Sequence, residues 1–335
     1  MSLTPKTPIP EGAIRYNTDS NKMELWNGQK WMQVAVSSPN LDGGGRGVFF
    51  GGAPSNNAAI DFITISTAGD AGDFGDMTSH RVQGSAGSSN TRGVYGNGEA
   101  PSITDRIEFI TFSSTGDATD FGDTTDARRR ANGMGLSNQT RALFNGGYSP
   151  GTVNTIDYIT IAQTGNAFNF GDLTVARESG ACCASPTRGI ISGGRNQPAN
   201  TALSSIDFVT IASTGDAQDY GDLSIQRFAM QACSNSTRGL TFAGMTPSNT
   251  ETIDFITIAT TGNAINFGDT LEDMQYPLGA VASPTRGVCA GGLQPSAINT
   301  IQHVTIATTG NAVDFGDLTG AKSEASGCSN SHGGL

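Results

Sequence analysis

Residues 60–81 read IDFITISTAGDAGDFGDMTSHR, and the same sentence returns five times along the chain. The copies are IEFITFSSTGDATDFGDTTDAR from Ile107, IDYITIAQTGNAFNFGDLTVAR from Ile156, IDFVTIASTGDAQDYGDLSIQR from Ile206, IDFITIATTGNAINFGDTLEDM from Ile253 and IQHVTIATTGNAVDFGDLTGAK from Ile301. Successive starts are 47, 49, 50, 47 and 48 residues apart. A period of that length belongs to repeat architectures, in which each unit buries its apolar face against the next. IDFITI is β-branched and aromatic and is apolar at both alternating positions, which predicts a strand held between packed layers. STGDA and TTGNA supply turn chemistry, with Gly free to take positive φ and Asp or Asn able to bond to nearby backbone.

A second signature lies between the copies: TRGVYGNG from Thr91, TRALFNGG from Thr140, TRGIISGG from Thr187, TRGLTFAG from Thr237 and TRGVCAGG from Thr285, each preceded by a Gly/Ser-rich stretch. The unit therefore carries about four strand-sized segments, the signature of an all-β fold, a six-bladed β-propeller of four-stranded blades. An open solenoid is the competing architecture. The ends of the chain favour the propeller. The last copy runs into AKSEASGCSNSHGGL, which resembles the stretch before each TRG strand, while Gly45-Arg46-Gly47 and VFFGG stand upstream of the first IDFITI. The expectation is a blade shared by N- and C-terminal strands, closing a ring that hides sheet edges.

Composition fits and excludes. Of 335 residues 45 are Gly and only 15% are charged, a poor mixture for helices, where Gly costs roughly 1 kcal/mol per interior position. The formal charge of −11 repels polyanions, so no nucleic-acid partner is expected. MSLTPKTPIPEG is not a basic-then-apolar leader, and no 18-residue apolar run occurs, so no membrane insertion is expected. The five cysteines, Cys182, Cys183, Cys233, Cys289 and Cys328, form no CxxC pair and read as small buried hydrophobes in a reducing compartment.

With these residues in place, residues 45–335 resemble the kelch motif of six-bladed propellers. The resemblance rests on Arg81, Arg128, Arg177 and Arg227, on the pairs Gly51-Gly52, Gly146-Gly147, Gly193-Gly194 and Gly291-Gly292, and on the aromatic column Phe74, Phe121, Phe170, Tyr220, Phe267 and Phe315. Kelch repeats usually place Trp in that column. Met274 stands in the Arg column of the fifth unit, and the double Gly is read as broken at Gly96-Asn97 and Ala243-Gly244. Residues 1–40 differ in kind. EGAIRYNTDSNKMELWNGQKWMQV reads as a small β-meander with turns at Asp19-Ser20-Asn21 and Asn27-Gly28, too small to be stable alone. About 25 of these residues resemble a G-x-I-R-Y-N-T-D…W-N-G-x-x-W motif of tail-fibre and other virion proteins of tailed bacteriophages.

The chemistry-bearing residues recur too regularly for a catalytic centre. An FGD or YGD Asp stands in every unit (Asp76, Asp123, Asp172, Asp222, Asp269, Asp317), and five units carry an acid after the first Ile (Asp61, Glu108, Asp157, Asp207, Asp254). A sixfold set of equivalent carboxylates lacks the asymmetry that separates an acid from a base, so turn bonds and Arg pairing are expected. Asp70, Asp73 and Asp76 have calcium-like spacing. The corresponding Asn166 and Asn169, or Asn263 and Asn266, discard the charge, and neither metal nor cofactor is expected. The arginines of TRG and TRA (Arg46, Arg92, Arg141, Arg188, Arg238, Arg286) are expected to be scaffold, with the acid columns as candidate partners. No GxSxG, P-loop, HExxH, dinucleotide fingerprint or sialidase Asp box occurs, so no catalytic residue is assigned.

Binding is then sought where the copies differ, in the loops after the double Gly, which vary in length and polarity as recognition loops on a rigid scaffold do. Candidate binding residues are Tyr148, Arg195, Asn196 and Gln197; candidate docking residues are Tyr16, Trp26 and Trp31. The resemblances imply a non-enzymatic virion protein, made in the host cytoplasm, as a tail fibre, appendage or capsid decoration. Its partners would be other virion proteins, a host-surface glycan or receptor, and its own copies. The alternatives are a glycan depolymerase using loop carboxylates such as Glu99 and Asp105, and an intracellular kelch-type adaptor.

Overall fold

The computed structural model describes residues 9–17, 22–33, 45–54, 58–99, 101–131 and 136–335. The turn expected at residues 19–21 and the chain at residues 34–44 lie outside them. The described residues are all-β, with no helix. The chain divides into two units, Met1–Leu41 and Asp42–Leu335. The first holds one antiparallel sheet of Ile14–Asn17, Lys22–Trp26 and Trp31–Gln33, in which Ile14 faces Leu25, Tyr16 faces Met23 and Trp26 faces Trp31.

Among the described residues the second unit holds six antiparallel sheets, five of four strands and one of three, besides a two-stranded ribbon. The IDFIT segments form the third strand of each four-stranded sheet and the middle strand of the three-stranded one, paired to the TRG strand on one side and to the FGD strand on the other. The first sheet takes its first strand from the far end of the chain: Ser326–Ser329 pairs antiparallel with Arg46–Phe50, Cys328 opposite Val48. Each FGD strand joins its partner through a register shift at the repeated Gly position, as between Ile60 and Asp61.

Six apolar clusters lie between successive sheets. Phe74 and Met77 of the first sheet meet Ile110 and Phe112 of the second, and Leu278 and Phe315 of the sixth meet Phe49 and Ile65 of the first. The aromatic column is buried at 2–3% exposure. Each of its rings stands edge-on to the ring at the third position of its own IDF segment, as Phe74 does to Phe62 at 6.0 Å and Phe315 to His303 at 5.6 Å. His303 thus fills an aromatic site. All five cysteines are buried thiols.

Glycine is required at two kinds of position. At Gly268, φ is +154° and an added Cβ would sit 2.3 Å from the carbonyl oxygen of Gly310 in the next sheet. At the double-Gly turns both residues take positive φ, +54° and +111° at Gly51 and Gly52. In the second sheet the residues that do so are Asn97 and Gly98, at +65° and +104°. The break expected at Gly96-Asn97 is therefore one residue early: Gly96 ends a strand, and Asn97, a side chain that tolerates the left-handed region, opens the turn.

Candidate functional site

The acid columns are occupied internally. The arginines that end the IDFITI-type copies form buried pairs with the acids of the following sheet: Arg81 with Glu108, Arg128 with Asp157 at 2.5 Å, Arg177 with Asp207 at 3.0 Å and Arg227 with Asp254 at 3.2 Å. Lys322 plays the same part for Asp61 at 3.0 Å. A hydroxyl three residues before each cation also donates to the acid, as Thr174 Oγ1 does to Asp207 at 2.8 Å. In the fifth unit Met274 stands in place of the cation, Gln302 in place of the acid and Leu271 in place of the hydroxyl residue, and the Leu271 backbone N–H donates to Gln302 Oε1 at 2.8 Å. All three positions change together, as they must when an unpartnered buried charge costs several kcal/mol.

The other columns are also engaged. The FGD aspartates donate their backbone N–H to a turn residue of the next sheet, Asp123 N to Asn166 Oδ1 at 3.1 Å and Asp317 N to Asp70 Oδ1 at 3.1 Å. Asp and Asn serve equally because only an acceptor oxygen is used, which accounts for their exchange. No group of three or more His, Cys, Asp or Glu suited to a metal occurs among the described residues. The TRG arginines do not meet the acid columns. They donate to backbone carbonyls of other sheets, Arg92 to Ile161 and Ala162 and Arg286 to Ile65 and Ser66, all at 3.0–3.1 Å. Arg92 also lies over the Phe109 ring at 4.7 Å. A guanidinium fork fixed in this way supplies donors to the carbonyls that end the IDFITI-type strands.

One column escapes this uniformity. Two residues after Arg81, Arg128, Arg177, Arg227, Met274 and Lys322 the backbone takes left-handed φ without Gly: Gln83 at +60°, Arg130 at +53°, Ser179 at +55°, Ala229 at +57°, Tyr276 at +48° and Glu324 at +59°. Their peptides bond to one another in order. Gln83 N donates to Glu324 O, Arg130 N to Gln83 O, Ser179 N to Arg130 O, Ala229 N to Ser179 O, Tyr276 N to Ala229 O and Glu324 N to Tyr276 O, over 2.7–3.2 Å. Non-Gly residues persist at such φ where the surroundings over-determine them; here the six bonds do so. Their unlike side chains, with Gln231, line a pocket of about 40 Å³.

Polar groups in this pocket are incompletely matched. Gln83 Nε2 donates to Glu324 Oε2 at 2.6 Å, and Gln231 Nε2 to Ala325 O at 3.1 Å. The buried atoms Gln83 Oε1, Gln231 Oε1, Ser179 Oγ and Arg130 Nε have no partner among the described residues. Burial pushes the Tyr276 phenol above its ordinary value, and the guanidinium groups of Arg130 and Arg195 draw it back.

The variable loops flank this pocket, because the residue before each left-handed position bridges to the residue after the double-Gly turn: Arg129 to Tyr148, Glu178 to Arg195, Val82 to Glu99. The structure thereby brings Tyr148 and Arg195 to the rim. Tyr148 lies under the Arg129 guanidinium at 5.4 Å. Arg195 is turned inward, holding the fully buried Glu178 at 2.5 Å and covering Phe228 at 4.6 Å. Asn196 donates to Ala176 O at 2.8 Å, and Gln197 O accepts from Thr152 Oγ1 of the Tyr148 loop at 3.1 Å. Glu99 is paired to Arg129 at 2.5 Å. Sequence reasoning missed the left-handed column itself; its signal was six unlike residues at one fixed offset from a position that holds a cation in five of the six copies.

The docking residues divide between two faces of the small sheet. Trp26 and Trp31 lie 5.4 Å apart, Arg15 covers Trp31 at 4.2 Å, and Arg15 and Asn17 both bond Glu24. Tyr16 shares the opposite face with Ile14, Met23, Leu25 and Met32, each 37–60% exposed. Those four were missed, although the alternation in IRYN and MELW marks them. The chain matches no known family model and is similar to no curated protein.

Proposed function

We propose that the six sheets are the blades of a closed, kelch-like β-propeller and that the chain is a non-enzymatic structural and binding protein of a tailed-phage virion. Closure is supported by recurrence: each inter-sheet bond type found between neighbours in sequence has a counterpart from the sixth sheet to the first, as in Arg286 to Ile65 and Asp317 to Asp70. The observation that carries the binding role is the contrast between the two kinds of column. The repeated acids and arginines serve as internal partners, whereas side-chain diversity gathers at the left-handed column and its flanking loops, where a rigid frame presents unlike groups to a partner. The small N-terminal sheet supplies the docking element, and its apolar face with Tyr16 is the surface that meets other virion proteins. Mass spectrometry of purified particles tests the assignment: peptides of this chain in stoichiometric amount are expected, and their absence sinks it.

A further inference from the structure

We propose that the pocket lined by Gln83, Arg130, Ser179, Gln231, Tyr276 and Glu324 binds the hydroxyl-bearing edge of a neutral saccharide. The inference deepens the binding role above and rests on it. The argument begins with the unmatched atoms. The two glutamine amides are oriented by their Nε2 bonds to Glu324 and Ala325, so Gln83 Oε1 and Gln231 Oε1 are acceptors awaiting donors. Arg130 Nε is a donor awaiting an acceptor, and Ser179 Oγ can be either.

Ligand classes separate on that inventory. A carboxylate or phosphate brings only acceptors and would leave both amide oxygens unsatisfied. An ammonium brings only donors and would leave Arg130 Nε unsatisfied. A hydroxyl group donates and accepts at once, and so matches both halves. The formal charges around the pocket cancel, Arg130 and Arg195 sharing Glu178 at 3.4 and 2.5 Å and Glu324 supplying the second negative charge, which suits an uncharged ligand. Tyr276 adds an aromatic ring, an apolar surface for the C–H side of a sugar. The free space of about 40 Å³ is room for roughly three or four water-sized groups at about 10–15 Å³ each. The pocket thus takes the edge of a sugar and leaves the rest of the glycan to the Tyr148 and Gln197 loops.

Saturation-transfer NMR on the full chain tests this, with methyl α-glucoside, methyl α-mannoside, methyl β-galactoside and N-acetylglucosamine as probes and acetate and methylammonium as charged controls. Transfer to at least one saccharide and to neither ion is expected. Ser179→Tyr fills the pocket while keeping a backbone conformation that Tyr276 already adopts, and it should weaken saccharide binding at least tenfold. Ser179→Ala, matched by Ala229 in the same conformation, should weaken it about threefold to tenfold, the worth of one hydrogen bond, and decides the matter should Ser179→Tyr not fold. Transfer to no saccharide, transfer to the ions instead, or wild-type binding by a folded variant overturns the proposal. Because the readout uses the isolated chain, its failure is distinct from absence of the chain from particles, which overturns the virion assignment alone.

Discussion

Replacing Arg177 by Met should be among the most damaging single changes in this chain, and adding Asp207→Gln should reverse most of the damage. Arg177 and Asp207 are both fully buried. Arg177 donates to Gly193 O at 3.1 Å, Ser205 O at 2.9 Å and Asp207 Oδ1 at 3.0 Å. With Arg177→Met, the Asp207 carboxylate keeps only the Thr174 N–H and hydroxyl, and an uncompensated buried charge costs about 3–5 kcal/mol. Asp207→Gln alone strands the guanidinium at similar cost. The double variant removes both charges and, with Thr174→Leu, recreates the Leu271, Met274 and Gln302 arrangement of the fifth unit, where Gln302 Oε1 takes the Leu271 N–H. Its cost should be about 1 kcal/mol against about 6–10 kcal/mol for the two single changes summed, a coupling of at least about 5 kcal/mol between the two sites. Urea unfolding followed by far-UV circular dichroism is the assay, since both tryptophans, Trp26 and Trp31, lie in the other unit and would report its unfolding instead. Additivity of the two single changes to within about 0.5 kcal/mol would refute the reasoning.

Three further outcomes are expected. Gly268→Ala places a Cβ 2.3 Å from Gly310 O, whereas Gly262→Ala, at the same φ of +154°, meets nothing within 4 Å; the first should be less stable than the second by about 1–3 kcal/mol, and equal melting would show that crowding is not why Gly stands there. His332 donates from Nε2 toward Ser88 O at 3.2 Å and accepts the Gly334 N–H at Nδ1 at 3.0 Å, and burial holds its pKa down at about 4. The unfolded chain then binds this proton first, so stability is full above about pH 6.5 and falls as pH drops toward 4, by about 3 kcal/mol at about 1.36 per unit; His332→Gln should flatten that part of the pH–stability curve, and an unchanged curve assigns the acid loss elsewhere. Burial raises all five thiols, those of Cys182, Cys289 and Cys328 to about 12 and those of Cys183 and Cys233 further; a thiol reagent should therefore label none in the native chain and all five in denaturant, and rapid native labelling would contradict the packing.

Much of this fold was legible because repetition converts weak local signals into a strong one. One IDFITI could be a strand or a buried helical segment; six copies spaced 47–50 residues apart, each followed by a similar turn, fix strands and their order. The structural reading of the acids was legible for the same reason, since Asp61, Glu108, Asp157, Asp207 and Asp254 recur with a cation and a hydroxyl at fixed offsets. Partner choice was less accessible. The TRG arginines could have met the acids by charge alone, yet they bond carbonyls, because the strand geometry ends those carbonyls beside them and the acids are enclosed with Arg81, Arg128, Arg177, Arg227 and Lys322.

By itself the sequence determined that the repeated segments are strands and that the repeated polar residues are scaffold, because each follows from local chemistry repeated with a period. Tertiary structure alone decided what the unlike residues do. Gln83, Arg130, Ser179, Ala229, Tyr276 and Glu324 are 47 or more residues apart in the chain and share no type; they become neighbours because six peptide hydrogen bonds link them in order. Tyr16 and Trp26 likewise look alike in sequence, and only strand register places one on the apolar face and the other on the face that Arg15 covers. A site made of differences carries no pattern for a sequence to display, since its composition is set by where the backbone brings those residues together.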